Sequence, residues 1–191
     1  MANTDYAFGF IPYDNVIRQG LYVVPTLPTI GIFKNDLLIA DISTGALATP
    51  FGYMPPVLDD AQPSDETKIL GSVLSVFDED MNPLSYIEAL RTGDDTIAGY
   101  VMIADHPDQQ FVAQANSALG VNAVGDNADI SGVAGNTTNG ISKAEIHTEI
   151  GGQGNLLLIK PHELDDVTLT NCRWIVQIAE HYYGGTPLAG G

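Results

Sequence analysis

The feature that most limits what this chain can fold into is its punctuation. Apolar runs are short, and turn chemistry returns every ~8–14 residues. Twenty glycines and eleven prolines are spread over 191 residues. Both residue types interrupt helices, one through backbone entropy and the other through a missing donor. The pattern predicts a mainly β chain, a single β-barrel or β-sandwich domain with long loops. The clearest stretch is Gly99–Gln114, G-Y-V-M-I-A-D-H-P-D-Q-Q-F-V-A-Q. Apolar runs at Tyr100–Ala104 and Phe111–Ala113 flank the polar turn Asp105-His106-Pro107-Asp108, and the spacing predicts a hairpin. On its first strand Val101 and Ile103 point one way and Tyr100, Met102 and Ala104 the other, so both faces are apolar and both need cover.

Around this centre the chain divides into three parts. Residues 1–30 read as an extended N-terminal arm, aromatic and broken by Gly9, Pro12, Gly20, Pro25 and Pro28. Residues 31–183 read as the β-rich core domain, and 184–191 as a flexible glycine-rich tail. Within the core, Lys34-Asn35-Asp36 is turn chemistry between two short apolar runs. Residues 43–67 are an acidic, proline-punctuated loop. Ile69–Phe77 is a strand, and Leu84–Arg91 leans the same way. Residues 115–140 are small and polar, either short strands or a long excursion. Ile141–Ile150 fits strand or helix. Asn155–Pro161 and Cys172–Tyr183 supply the last two strands, with Trp174 buried. No repeat of fixed period emerges.

Charge excludes whole classes of function. Seven Lys and Arg stand against 24 Asp and Glu, a net charge of −17. Phosphate repels such a chain, which predicts no nucleic-acid partner and no anionic membrane surface. The single cysteine, Cys172, leaves no internal disulfide. No window reaches the ~18–20 apolar residues of a membrane helix, and the N-terminus lacks the basic start and apolar run of a signal peptide. The expectation is synthesis in the cytoplasm.

The motifs of catalysis are missing. No phosphate-binding loop is present, Gly151-Gly152-Gln153-Gly154 reading as a turn, and neither H-E-x-x-H nor G-x-S-x-G occurs. His106, His147, His162 and His181 read as surface or turn histidines rather than ligands. Asp78, Asp80 and Asn82 alternate as a calcium loop begins, but Pro83 stands where that loop needs glycine; Asp126, Asn127 and Asp129 are a weaker set. Cys172 beside Arg173 could carry a lowered pKa, though a buried, inert thiol is the plainer reading. No cofactor, metal or catalytic residue is expected.

Four pieces, in order, resemble the capsid decoration, or cement, proteins of tailed double-stranded-DNA bacteriophages. They are A-F-G-F-I-P at Ala7–Pro12, the stretch Gly99–Gln114, N-G-I-S at Asn139–Ser142, and L-L-L-I-K-P followed by W-I-V-Q-I-A-E-H-Y-Y. That family looks like an A-x-G-x-x-P start, a V-x-x-D-x-P-x-x-x-F-x-x-Q hairpin, matched here from Asp105 to Gln114, a G-x-S element, and a last strand ending in a histidine–aromatic pair. The resemblance runs from about residue 7 to 183. It implies a structural virion protein without enzymatic activity. Such a protein binds the outer surface of the head and cements neighbouring major capsid protein subunits against DNA pressure. It associates with itself as a dimer or trimer. Tyr6, Phe8, Phe10, Ile11, Tyr13 and Tyr22 are the candidate anchors to capsid or sister subunits, since aromatic residues carry much interface energy. The alternative is a non-catalytic β-sandwich module that recognises carbohydrate or a host surface.

Overall fold

The structure is a computed structural model that describes residues 3–25, 31–39, 68–88, 97–131, 135–150 and 154–184. Their strands, in chain order, are β1 (Ile11–Pro12), β2 (Gln19–Pro25), β3 (Ile32–Phe33), β4 (Leu37–Ile39), β5 (Ile69–Phe77), β6 (Pro83–Leu84) and β7 (Tyr86–Ile87). They continue with β8 (Ile97–Ala104), β9 (Gln110–Gln114), β10 (Asn127–Ser131), β11 (Glu145–Ile150), β12 (Leu156–Pro161) and β13 (Arg173–Ile178). A single 3-10 turn, Val121–Ala123, interrupts them. All named pairings are antiparallel. One sheet has the order β1-β9-β13-β12-β10-β11, a second β2-β8-β5-β4 with β6 on β5, and β3 pairs with β7. Neither large sheet closes on itself. The expected mainly β fold is present, in its sandwich-like form.

Two apolar clusters explain the layering. Phe111, Ala113, Leu156, Leu158, Trp174 and Val176 of the first sheet pack with Leu37, Ile69 and Ala104 of the second. The opposite face of the second sheet, with Leu38, Leu70, Val73, Val101 and Ile103, packs on Ile32 and Ile87. Side chains alternate between faces along a strand, so Leu37 and Leu38, or Ile69 and Leu70, divide between the two clusters. A strand buried on both faces reads as a continuous apolar run. This is why Ile69–Phe77 and Tyr100–Ala104 are so legible.

The hairpin expected at Gly99–Gln114 does not form. β8 pairs with β2 and β5, whereas β9 pairs with β1 and β13. The two strands lie in different sheets, and residues 105–109 carry the chain across the sandwich. The reason lies in two polar side chains of that segment, Asp105 and Gln109, which are buried. A buried polar group needs partners, and theirs come from residues 13–22.

The same contacts correct the reading of residues 1–30 as an arm. Gln19–Pro25 is a full strand of the second sheet, in register from Gln19↔Ala104 to Pro25↔Ile97. Phe10 is fully buried in the first cluster. Only residues 3–8 remain as a segment laid on the core. The acidic loop 43–67, the glycine turn at 151–153 and the tail beyond Gly184 lie outside the described residues. The ambiguous stretch at 141–150 is settled as strand over Glu145–Ile150. The described residues of 115–140 hold the 3-10 turn and β10 as short elements between loops.

The turn Lys34-Asn35-Asp36 is a junction. Phe10 N–H donates to Asn35 O at 2.8 Å, Asn35 N–H to Val73 O at 2.8 Å, Lys34 N–H to Gly140 O at 3.0 Å, and Ser142 N–H to Lys34 O at 2.9 Å. Gly9 and Gly140 close in from either side, with φ of +72° and +71°. A Cβ on Gly9 would meet Asn35 O at 2.4 Å, and one on Gly140 would meet Ser85 O at 2.4 Å. Only glycine suits both the left-handed conformation and the close approach.

Asp36 lies under this turn, 3% exposed. Its carboxylate accepts Phe33 N–H at 2.7 Å and is hydrogen-bonded to the Ser142 side chain. Burial nevertheless pushes its pKa up to about 7. The folded state therefore keeps a proton that the unfolded chain releases near pH 4. This group favours folding below pH 4, and its contribution declines as pH rises from about 4 to 7. At most roughly 4 kcal/mol is involved. Chemical denaturation at pH 4.5 and pH 8 should show wild type losing stability relative to Asp36→Asn across that interval. Parallel pH profiles for the two proteins would refute the assignment.

Candidate functional site

Chemistry-bearing side chains gather at two places. The first is the crossing between the sheets, where Asp105 follows β8. Arg18 Nε donates to Asp105 Oδ1 at 2.8 Å and Arg18 Nη2 to the Asp105 carbonyl at 2.7 Å. Tyr22 donates its hydroxyl to Asp105 Oδ2 at 2.5 Å. The Arg18 guanidinium lies 4.8 Å from the Tyr183 ring centroid, and the Tyr22 and Tyr183 hydroxyl oxygens are 3.3 Å apart. Gln109 extends the stitching: its Oε1 accepts Ile17 N–H at 2.9 Å, and its Nε2 donates to Gln110 O at 2.9 Å. Gln177 Nε2 donates to Pro107 O at 3.1 Å. The hairpin turn of the sequence reading is thus a knot that fastens residues 13–22 to both sheets.

His181 stands beside this cluster, 4% exposed, with Nδ1 accepting Tyr183 N–H at 3.0 Å. Burial lowers its pKa to about 4, against the pull of the Leu70 carbonyl and Asp105, so it is neutral at pH 7. Burial and the bond to Asp105 push the Tyr22 hydroxyl far up. Both Asp105 oxygens are engaged. Of the histidine, tyrosine and aspartate gathered here, Tyr22 and Asp105 hold chain to chain, while His181 braces its own turn through Tyr183 N–H.

The second place is a groove of about 480 Å³ between residues 3–8 and the loop from Leu164 to Arg173. Arg173 and Asp165 form a two-pronged pair, Nε to Oδ2 at 2.9 Å and Nη2 to Oδ1 at 2.7 Å, and Arg173 N–H adds 2.7 Å to Oδ2. These bonds hold Asp165 below the usual carboxylate range. Asn3 Nδ2 donates to the carbonyls of Asp166 and Thr170 at 3.0 and 3.1 Å. Tyr6 N–H donates to Gln114 Oε1 at 3.1 Å, while Gln114 Nε2, buried, has no hydrogen-bond partner among the described residues.

The remaining sequence candidates are dispersed. His106 and His162 accept hydrogen bonds from Asp108 N–H and Leu164 N–H in their own turns, as turn histidines do. His147 lies on β11. His181, by contrast, is buried. The Asp78 carboxylate accepts the N–H groups of Asp80 and Asn82 at 3.0 and 2.8 Å, which is turn geometry. Among the described residues no group of three or more His, Cys, Asp or Glu is placed to hold a metal ion. Cys172 is buried and its thiol is pushed up to about 11, because burial outweighs Arg173, which is paired with Asp165. No helix among the described residues is long and apolar enough to cross a membrane.

The six candidate anchors separate. Phe10 is fully buried and Tyr22 is 8% exposed, so both belong to the core and neither is available to a partner. Their burial has a plain cause: each faces an apolar cluster, and the Tyr22 hydroxyl finds Asp105 there. Phe8 and Tyr13 are half-buried, the latter with Lys160 Nζ 5.8 Å from its ring centroid. Tyr6 and Ile11 are exposed, at 60% and 41%. Sequence reasoning passed over Val16 and Ile17, which are exposed too. It also passed over Arg18, although a lone cation beside a run of apolar residues, in a chain with seven, was a usable signal.

Compared with family models, with curated proteins and with solved structures, the chain matches none.

Replacing Asp105 leaves the Tyr22 hydroxyl buried without its acceptor and frees Arg18. Breaking a buried pair by removing one partner costs ~3–5 kcal/mol, and Arg18 is half exposed, so the lower end applies. Asp105→Ala should lower unfolding free energy by about 3 kcal/mol, against less than half that for Asp105→Asn, which keeps an acceptor for Tyr22. Urea titration distinguishes the two, and equal losses would contradict the role given to the Tyr22 bond.

Proposed function

We propose that the chain is a structural virion protein that decorates the outer surface of a phage head and cements neighbouring major capsid protein subunits. The observation that carries this reading is the ordered run of motifs from about residue 7 to 183. Its resembling residues include junctions of the fold: Gly9 and Gly140 at the 34–36 turn, and Asp105 at the sheet crossing. A protein loaded mechanically from below benefits from such cross-ties, because force on one strand is shared by both sheets. The net charge of −17 suits a surface facing away from packaged DNA.

The exposed apolar side chains indicate where attachment would occur. Among the described residues Tyr6, Ile11, Val16 and Ile17 are exposed within one N-terminal stretch, while Met81, Val121, Val124, Leu164 and Tyr183 are exposed elsewhere in the chain. Grouped exposed apolar residues mark interaction surfaces, whereas scattered ones are ordinary. No catalysis and no cofactor enter this reading; association with sister copies as a dimer or trimer would multiply weak contacts on a symmetric lattice.

The test mixes the protein with undecorated heads and images them. Stoichiometric, symmetry-related density on the shell is the expected result, and no attachment at any stage of head maturation would sink the proposal. Ile11→Asp and Ile17→Asp should each weaken attachment about tenfold or more while leaving the melting temperature unchanged, since both side chains already face water.

A further inference from the structure

We infer that the groove between residues 3–8 and the Leu164–Arg173 loop is a binding site for a neutral sugar. Its volume, about 480 Å³, falls among small-ligand sites, ~300–1,000 Å³. Its lining is split between planar polar groups and aromatic surface. On the polar side stand Gln114, Asn171 and the Asp165–Arg173 pair. Gln114 is 1% exposed, and its side chain is fixed by the bond from Tyr6 N–H to Oε1. Arg173 spends Nε and Nη2 on Asp165 and leaves Nη1 unused by that carboxylate. The pair is itself fixed by the backbone bond from Arg173 N–H to Asp165, so its donors and acceptors are held before any ligand arrives.

On the other side is Tyr6, 60% exposed. The C–H face of a pyranose packs on the electron-rich face of such a ring, while its vicinal hydroxyls match two-pronged amide and guanidinium groups. Two alternatives fit less well. An extended peptide binds by adding to a free strand edge, but β9 is flanked by β13 and β1, with Tyr6 against Gln114 beyond the end of β1. An anionic sugar meets Asp165, Asp166 and a chain of net charge −17. Of these three, a neutral pyranose fits the lining best.

The experiment is saturation-transfer and amide-shift NMR on the full chain. The probes are glucose, galactose, mannose and N-acetylglucosamine, their disaccharides, and a pool of synthetic octapeptides. At least one neutral sugar should bind, with shifts confined to Gln114, Asn171 and Arg173. Tyr6→Ala should weaken that binding tenfold or more, and Tyr6→Phe, which keeps the ring, should leave it within threefold. Tyr6 faces solvent, so neither variant threatens folding. No signal from any sugar, undiminished binding by Tyr6→Ala, or groove shifts with the octapeptides alone would each overturn the inference. The readout is taken on the free protein, so its failure leaves attachment to heads a separate question.

Discussion

The carboxyl of Asp36 sits at the base of a three-residue turn where four distant parts of the chain meet. Phe33 N–H and the Ser142 side chain bond to it, Val73 N–H donates to its carbonyl at 2.9 Å, and its neighbour Asn35 receives Phe10 N–H. Ser72 adds a hydroxyl bond to the Phe10 carbonyl at 2.5 Å. No single strand pairing joins the N-terminal residues, β5 and the 140–142 loop. Without this turn Phe10 has no fixed seat in the apolar cluster, and without Phe10 the first sheet loses part of its cover. The fold accepts a carboxyl driven towards neutrality in return for that convergence, which is a local cost borne for a global arrangement.

The sheet crossing at Asp105–Gln109 completes the same design from the other end of the N-terminal stretch. Between them the two junctions clamp residues 9–25 from both sides. What looks in sequence like a detachable arm is the edge of one sheet, the outer strand of the other, and a buried aromatic. Exposed apolar side chains such as Ile11 and Ile17 are then displayed on fixed backbone. A partner that engages them need not order a flexible segment first, which saves conformational entropy on binding.

The strands buried on both faces were legible because burial on both faces leaves a continuous apolar run, as in Ile69–Phe77. Trp174 was placed for the same reason. The junctions were not legible, and the cause is physical. Asp36, Asp105, Gln109 and Gln114 are turn-forming or polar residues whose composition signals exposure, and each also has a partner far away in the chain. Asp105 and Arg18 are 87 residues apart, and Gln114 and Tyr6 are 108 apart. Local spacing carries no trace of such pairs. The hairpin reading failed at the same point, since two apolar runs around a polar turn look alike whether they pair or part into separate sheets. The groove escaped notice because its walls come from residues 3–8, Gln114 and the Leu164–Arg173 loop.

Native-state hydrogen exchange at the Lys34–Asp36 junction tests the central claim most directly. The amides of Phe10, Lys34 and Ser142 donate to Asn35, Gly140 and Lys34 respectively. If the N-terminal stretch is built into the core, all three exchange only through global opening, with the same free energy as mid-strand amides such as Val101. Fast, sub-global exchange at Phe10, with Lys34 and Ser142 still protected, would show residues 9–25 detaching as an arm and would contradict the account.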